Sequence, residues 1–152
     1  ATLPYYDRPQ AMLVRSDREP PVTEFSDLFG LRVGIVTEST GAALMTTYNE
    51  QRGSAIRLFA SRDLDRLVEQ LSQNEVDVLV VDRPVATALA RTSRENAGDD
   101  DEFVVVDAAV MSTPLVGVVQ AERASIRDVL DEAIAELKGE GKLDRILEQW
   151  QL

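Results

Sequence analysis

The sequence predicts an α/β fold in which helices cover both faces of a mostly parallel sheet. Two observations predict it. Short β-branched apolar runs alternate along the chain with segments of helical periodicity, and this order favours parallel strands joined by helical crossovers. The run Val78-Leu79-Val80-Val81 is apolar at every position, which is typical of a strand buried on both faces.

Each element is predicted from a local pattern. Apolar runs predict strands at residues 11–15, 32–36, 56–59, 76–81, 103–106 and 114–119. Helices are predicted over residues 39–51, after an N-cap at Ser61, over 84–94, over 125–138 and over 142–150. A short helical turn is predicted at residues 24–28, and a loop is predicted at residues 96–102.

Composition excludes several classes of function. The chain has 152 residues, a net charge of -11, no cysteine and no histidine. The negative charge disfavours nucleic acid and anionic membranes as partners. The lack of cysteine and histidine excludes disulfides, thiol nucleophiles, histidine-based triads and nearly all zinc or copper sites. We therefore assign no catalytic residue, no metal site and no cofactor, and the acidic run at residues 99–102 is interpreted as a solvated loop.

Candidate binding groups follow two of the predicted strands. Ser39 and Thr40 come after the strand that ends at Val36, and they open a helix whose N–H groups and dipole attract an anion such as a carboxylate. Asp82 directly follows the strand at residues 76–81, and its carboxylate can accept hydrogen bonds from an ammonium group. Parallel strands place both features at the sheet edge where ligands bind in open α/β folds. An anion site beside a cation site suits an α-amino acid.

These residues also have purely structural interpretations. Ser39 and Thr40 could serve only to cap the helix that they open. Asp82 could cap the helix that begins near Pro84. The sequence leaves both interpretations open.

Four segments occur in a recognisable order along the chain. They are LPYY and QAMLVR at residues 3–6 and 10–15, DLFGLRVGI at 27–35, VDVLVVD at 76–82, and GEGKLDRILEQW at 139–150. In order and spacing they resemble the interlobe crossover, two strands and the terminal helix of the type II periplasmic binding proteins. The resemblance is to their polar amino acid uptake family (bacterial extracellular solute-binding protein family 3), and it covers nearly the whole chain.

The resemblance implies a non-enzymatic protein that closes two lobes on an amino acid or similar small polar solute. Such a protein delivers its solute to a membrane transporter permease, in the periplasm or outside the cell. The resemblance places Ser39 and Thr40 where the family binds the α-carboxylate and Asp82 where it binds the α-amino group. Two residues depart from the family pattern, because Glu38 replaces a glycine and Arg83 replaces a small residue.

The resemblance also implies a division into lobes. Residues 22–107 correspond to a complete second lobe, and residues 1–21 and 108–152 correspond to the crossover strands and C-terminal helices of a partial first lobe. The two terminal helices carry nine large apolar side chains, namely Ile126, Val129, Leu130, Ile134, Leu137, Leu143, Ile146, Leu147 and Trp150. We expect another surface to cover them, either an N-terminal segment of that lobe or a second copy of the chain.

Two other functions stay open at this point. An enzyme on the same scaffold, similar to a dehydratase, would need an acid such as Glu38 beside the cleft. A lobe without a ligand could instead act as a sensor or an interaction module.

Overall fold

The computed structural model describes residues 1–97 and 102–150, and only the backbone of residues 97 and 108–110. Its strands are β1 (Tyr6–Arg15), β2 (Arg32–Val36), β3 (Arg57–Ser61), β4 (Val78–Asp82) and β5 (Phe103–Leu115). Its helices are α1 (Thr40–Glu50), α2 (Leu64–Ser72), α3 (Arg83–Ala97), α4 (Ala124–Gly139) and α5 (Lys142–Gln149), with single 3-10 turns at Phe25–Leu28 and Ala121–Arg123. Over this part of the chain, we find no helix with the length and apolarity that a membrane span requires.

The strands form one sheet in the order β3-β2-β4-β1-β5. β2 is parallel to both β3 and β4, whereas β1 is antiparallel to β4. β5 is antiparallel to β1, because the Ser16 N–H donates to the Glu102 carbonyl and the Tyr5 N–H donates to the Leu115 carbonyl. All the described strands except β1 therefore run in one direction, which confirms the predicted mostly parallel sheet.

The structure forms two compact units. The larger comprises Pro9–Met111, and the smaller comprises Ala1–Arg8 with Ser112–Leu152. The lobe boundaries implied by the resemblance, at residues 22 and 107, stay a prediction. All of the binding residues predicted from the sequence belong to the larger unit.

Helices cover both faces of the sheet in the larger unit. Val78 and Val80 of β4 pack in a cluster with Met45 of α1. Leu79 and Val81, which point to the opposite face, pack in a second cluster with Leu67 of α2. Because helices cover both faces, every position of this strand is buried up to Val81, and the unbroken apolar run is explained.

In the smaller unit, the apolar faces of α4 and α5 are largely uncovered. Neither helix contains a buried residue. Val129 is 66% exposed and Trp150 is 69% exposed. The sequence predicts that another surface packs over these side chains. The described residues of this chain do not provide that surface.

Two local predictions are wrong. The N-cap of α2 is Asp63, whose side chain accepts a hydrogen bond from the Arg66 N–H, whereas Ser61 is still part of β3. Residues 103–106 and 114–119 do not form two strands, because β5 runs unbroken over 103–115 beside the ten-residue strand β1. The acidic run predicted to be a loop lies outside the described residues, apart from Glu102.

Candidate functional site

Ser39 is the N-cap of α1. β2 ends at Val36, and a turn through Glu38, whose φ is 64°, brings the chain into the helix. The Ser39 hydroxyl accepts a hydrogen bond from the Ala42 N–H at 3.0 Å, and Thr40 is the first helical residue. Ser39 therefore caps α1, and its role in ligand binding stays a prediction. The same geometry places Ser39 at the positive end of the helix dipole.

Asp82 is the last residue of β4 and lies opposite Gln10 of β1 in the sheet. Gln10 Nε2 donates a hydrogen bond to Asp82 Oδ1 at 2.6 Å. Gln10 is 1% exposed, whereas Asp82 is half-buried. The neighbouring strand therefore helps to orient the Asp82 carboxylate.

Ser39 and Asp82 line one cavity of about 200 Å³. Thr40 is not among its lining residues, so the structure brings two of the three predicted residues to this cavity. This volume is below the ~300–1,000 Å³ of sites for drug-sized ligands, and it suits a small solute. Gln10 also lines the cavity, and the rest of its wall is apolar: Val36, Leu64, Val81 and Val85.

Gln10 is the site residue that the sequence analysis did not single out. It directly precedes the apolar run Ala11-Met12-Leu13-Val14, all four residues of which are buried. A polar residue directly before an apolar run was the available signal. Its meaning depends on Asp82, which is 72 positions away in the sequence.

Gly41 makes room for the Gln10 side chain under the first turn of α1. A Cβ at position 41 would lie 2.6 Å from Gln10 Oε1 and 3.4 Å from the Val80 carbonyl oxygen. Either Gln10 or the helix would have to move to accept a larger residue. The contact between Gln10 and the start of α1 therefore depends on glycine at this position.

The cavity has two electrostatic poles. The first turn of a helix carries N–H groups without intrahelical acceptors and a partial positive charge, and the Asp82 side chain supplies a carboxylate. The apolar walls lower the local dielectric constant, which strengthens both poles. The arrangement can bind a small molecule that carries both a carboxylate and an ammonium group.

The comparisons with known proteins bear on the fold. No family model matches the chain, and no curated protein matches it. The probable amino-acid ABC transporter extracellular-binding protein YtmK from Bacillus subtilis is 18% identical with a TM-score of 0.78, and the match covers 98% of this chain and 62% of that one. The GluR0 ligand-binding core in complex with L-glutamate is 20% identical with a TM-score of 0.73, covering 98% and 62%. The ancestral amino acid-binding protein AncCDT-1, a precursor of cyclohexadienyl dehydratase, is 18% identical with a TM-score of 0.68, covering 98% and 59%.

The chain has the type II periplasmic-binding-protein fold. The fold implied by the sequence resemblance is thereby confirmed. The chain spans 59–62% of the length of these three structures.

In this binding-protein fold, the two residues that depart from the family pattern lie at the surface. Glu38 accepts a hydrogen bond from Arg62 Nη2 at 3.1 Å, and its side chain is 75% exposed. Arg83 Nε lies 2.8 Å from Asp107 Oδ1 in an exposed ion pair. Neither residue lines the cavity that holds Ser39 and Asp82, so their charges are directed elsewhere.

A larger groove of about 610 Å³ lies between α2 and α3 of the binding-protein fold. Its charged lining residues are the carboxylates Asp65, Glu69 and Glu102. Glu102 accepts hydrogen bonds from the hydroxyls of Ser72 and Ser93, which hold it against the groove wall. We assign the candidate site to the smaller cavity, because the described lining residues of the groove offer no positive pole for a solute carboxylate.

Proposed function

We propose that this chain binds a small amino acid zwitterion in the cavity lined by Ser39 and Asp82. The α-carboxylate lies at the N-terminus of α1 beside Ser39 and Thr40, and the ammonium group binds Asp82. The observation that carries the proposal is that a helix N-cap and a half-buried carboxylate line one small cavity. A structure with this fold that is described as a complex with L-glutamate supports the class of ligand.

We further propose a role in uptake. A protein with this fold is described as the extracellular-binding protein of a probable amino-acid ABC transporter. By analogy, the captured solute passes to a membrane transporter permease, and the protein works in the periplasm or outside the cell.

The alternative of an enzyme that uses Glu38 as its acid is less well supported. Glu38 is exposed, pairs with Arg62, and is not among the residues that line the cavity. A general acid must lie within hydrogen-bonding reach of the group that it protonates. The structure therefore favours binding over catalysis, although one protein with this fold is described as a precursor of a dehydratase.

An amino acid ligand is expected to raise the melting temperature of the chain. A ligand that binds only the folded state, at 100 times its Kd, adds about 2.7 kcal/mol to the free energy of unfolding. Differential scanning fluorimetry against the standard L-amino acids, followed by calorimetric titration of any that shift the transition, tests this.

Each control ligand lacks either the ammonium group or the carboxylate. For every amino acid that stabilises the chain, the corresponding deamino acid and decarboxylated amine should give little or no shift. Equal shifts with these analogues, or no shift with any amino acid, would contradict the proposal and favour an interaction module that binds no small solute.

We also propose that the uncovered faces of α4 and α5 are covered in the working protein. A further polypeptide segment or a second copy of this chain can supply that cover. The proposal is supported by the exposure of large apolar side chains on both helices, including Ile126, Val129 and Trp150. Large exposed apolar patches on proteins mark interaction sites.

The 152-residue chain by itself is therefore expected to associate. Light scattering over a concentration series should give a mass above that of one chain, and Val129→Asp should lower that mass. A strictly monomeric chain that also fails to bind a hydrophobic dye would count against an apolar face in need of cover.

A further inference from the structure

We propose that Gln10 is the positioning residue of this site and that it selects solutes by the distance between their two charges. In this view, the Gln10 side chain holds the Asp82 carboxylate at a fixed separation from the N-terminus of α1. The site then favours an ammonium and a carboxylate on the same carbon, as in an α-amino acid, over a β-amino acid. The inference rests on the proposed function and names the substrate class within it.

The first observation is the hydrogen bond between Gln10 and Asp82. The donor Nε2 lies 2.6 Å from Asp82 Oδ1, and the two residues are directly opposite in the antiparallel pair β1–β4. Gln10 is 1% exposed, and its strand β1 is flanked by β4 on one side and β5 on the other. The Asp82 carboxylate is therefore held by a buried side chain of the neighbouring strand.

The second observation is that the other end of the same amide has no hydrogen-bond partner among the described residues. Gln10 Oε1 is buried and makes no hydrogen bond with any described residue. Leaving a buried acceptor unsatisfied costs about 1–3 kcal/mol, and such groups in native proteins call for a functional explanation. An apolar side chain of the same size would avoid this cost, so stability alone does not account for glutamine here.

The third observation is the position of that oxygen. Oε1 packs against the backbone of Gly41 in the first turn of α1, where only glycine leaves space for it. The amide dipole therefore runs from the positive end of the helix to the negative carboxylate. The opposite orientation would turn the amide oxygen towards the Asp82 carboxylate, so that two acceptors would face each other.

Through these contacts, the Gln10 side chain lies between the N-terminus of α1 and the Asp82 carboxylate. Binding sites must hold their groups within about 0.5 Å of the productive geometry. We expect a solute with one additional carbon between its ammonium and carboxylate groups to satisfy the two poles less well. A preference for α- over β-amino acids is the expected consequence.

The test compares Gln10→Met with wild type and with Gln73→Met in the full chain. Methionine fills a similar volume but cannot hold Asp82. Gln73 is a matched control, because its Nε2 also donates to a carboxylate, Glu69 Oε1 at 3.1 Å, but it is the exposed C-cap residue of α2 and does not line the cavity. The probes are two pairs of isomers, L-alanine with β-alanine and L-glutamate with 3-aminoglutarate, measured by calorimetric titration.

We expect wild type and Gln73→Met to prefer the α-isomer at least tenfold. Gln10→Met should lose at least tenfold in affinity for the α-isomer and retain less than a threefold preference. Its melting temperature without ligand should stay within a few degrees of wild type, which a merely structural role for Gln10 would not allow. If Gln10→Met does not fold, Gly41→Ala replaces it, because the added methyl group displaces Oε1 and should cause the same loss of preference.

The outcomes separate this inference from the proposed function. If the wild-type chain binds neither α-amino acid nor any other L-amino acid, the proposed function fails and the inference fails with it. If wild type binds an α-amino acid and Gln10→Met binds it with the same affinity and preference, only the positioning role of Gln10 is overturned.

Discussion

Replacement of Asp82 by asparagine is expected to weaken amino acid binding by about 2–5 kcal/mol, or roughly 30-fold to 4,000-fold. Asparagine has nearly the same shape and keeps an oxygen that can accept the hydrogen bond from Gln10 Nε2. It carries no charge, so the ammonium group of the solute loses its counter-ion inside a cavity with apolar walls. Calorimetric titration with the amino acid that gives the largest thermal shift measures the loss.

Asp107→Asn is the matched control for this experiment. Asp107 pairs with Arg83 at the surface, its side chain is 62% exposed, and it is not among the residues that line the cavity. The substitution removes the same charge, and we expect it to change the affinity by less than about threefold. Similar losses in both variants would indicate a general effect of net charge and would remove Asp82 from the proposed site.

Replacement of Asp77 by asparagine is expected to lower the free energy of unfolding by about 2–4 kcal/mol. The Asp77 carboxylate accepts hydrogen bonds from the Arg32 backbone N–H at 2.8 Å, from Arg32 Nε and Nη2 at 3.0 Å each, and from Arg18 Nη1 at 3.0 Å. Its side chain is only 10% exposed. Asparagine would leave two arginines partly buried without their counter-ion, and chemical denaturation at pH 7 measures the result.

The same cluster predicts how stability depends on pH. Burial acts to raise the pKa of Asp77, but the hydrogen bonds from Arg32 and the charges of Arg32 and Arg18 outweigh it and lower the pKa from 3.8 to about 2. Because the pKa is lower in the folded state, the contribution is fully present above about pH 4 and is lost as the pH falls towards 2. The loss for this group is about 1–2 kcal/mol and should be absent from Asp77→Asn.

Asp17→Asn is the control for both measurements on Asp77. Asp17 pairs with Arg15 at 2.7 Å, but its side chain is 68% exposed, so water screens the pair. We expect a change of less than about 1 kcal/mol at pH 7. A loss in Asp77→Asn no larger than that in Asp17→Asn would show that the Arg18–Asp77–Arg32 cluster contributes little to stability.

The part of the candidate site that could be predicted depends on local patterns. The N-cap geometry of Ser39 follows from a hydroxyl at the point where a strand pattern gives way to a helix, and the structure has this cap. Asp82 could be placed at the same sheet edge because β2 and β4 are parallel and end on the same side. Both residues line the same cavity.

The part that could not be predicted depends on strand pairing. Gln10 and Asp82 are 72 positions apart, and only the antiparallel register of β1 against β4 brings the amide to the carboxylate. The N-cap of α2 is a second feature that local sequence patterns do not predict. Ser61 and Asp63 are both good capping residues, and β3 extends through Ser61, which leaves Asp63 to begin the helix.

The sequence by itself determined the alternation of strands and helices, the burial of β4 on both faces, and the position of Ser39 and Asp82 at strand ends. These features arise from hydrophobic periodicity and capping, which act over a few neighbouring residues. Only the tertiary structure decided that Gln10 donates a hydrogen bond to Asp82, that position 41 must be glycine, and that Glu38 pairs with Arg62 and does not line the cavity. Those outcomes depend on the strand register and on close packing between residues distant in the chain, for which a single sequence carries no local signal.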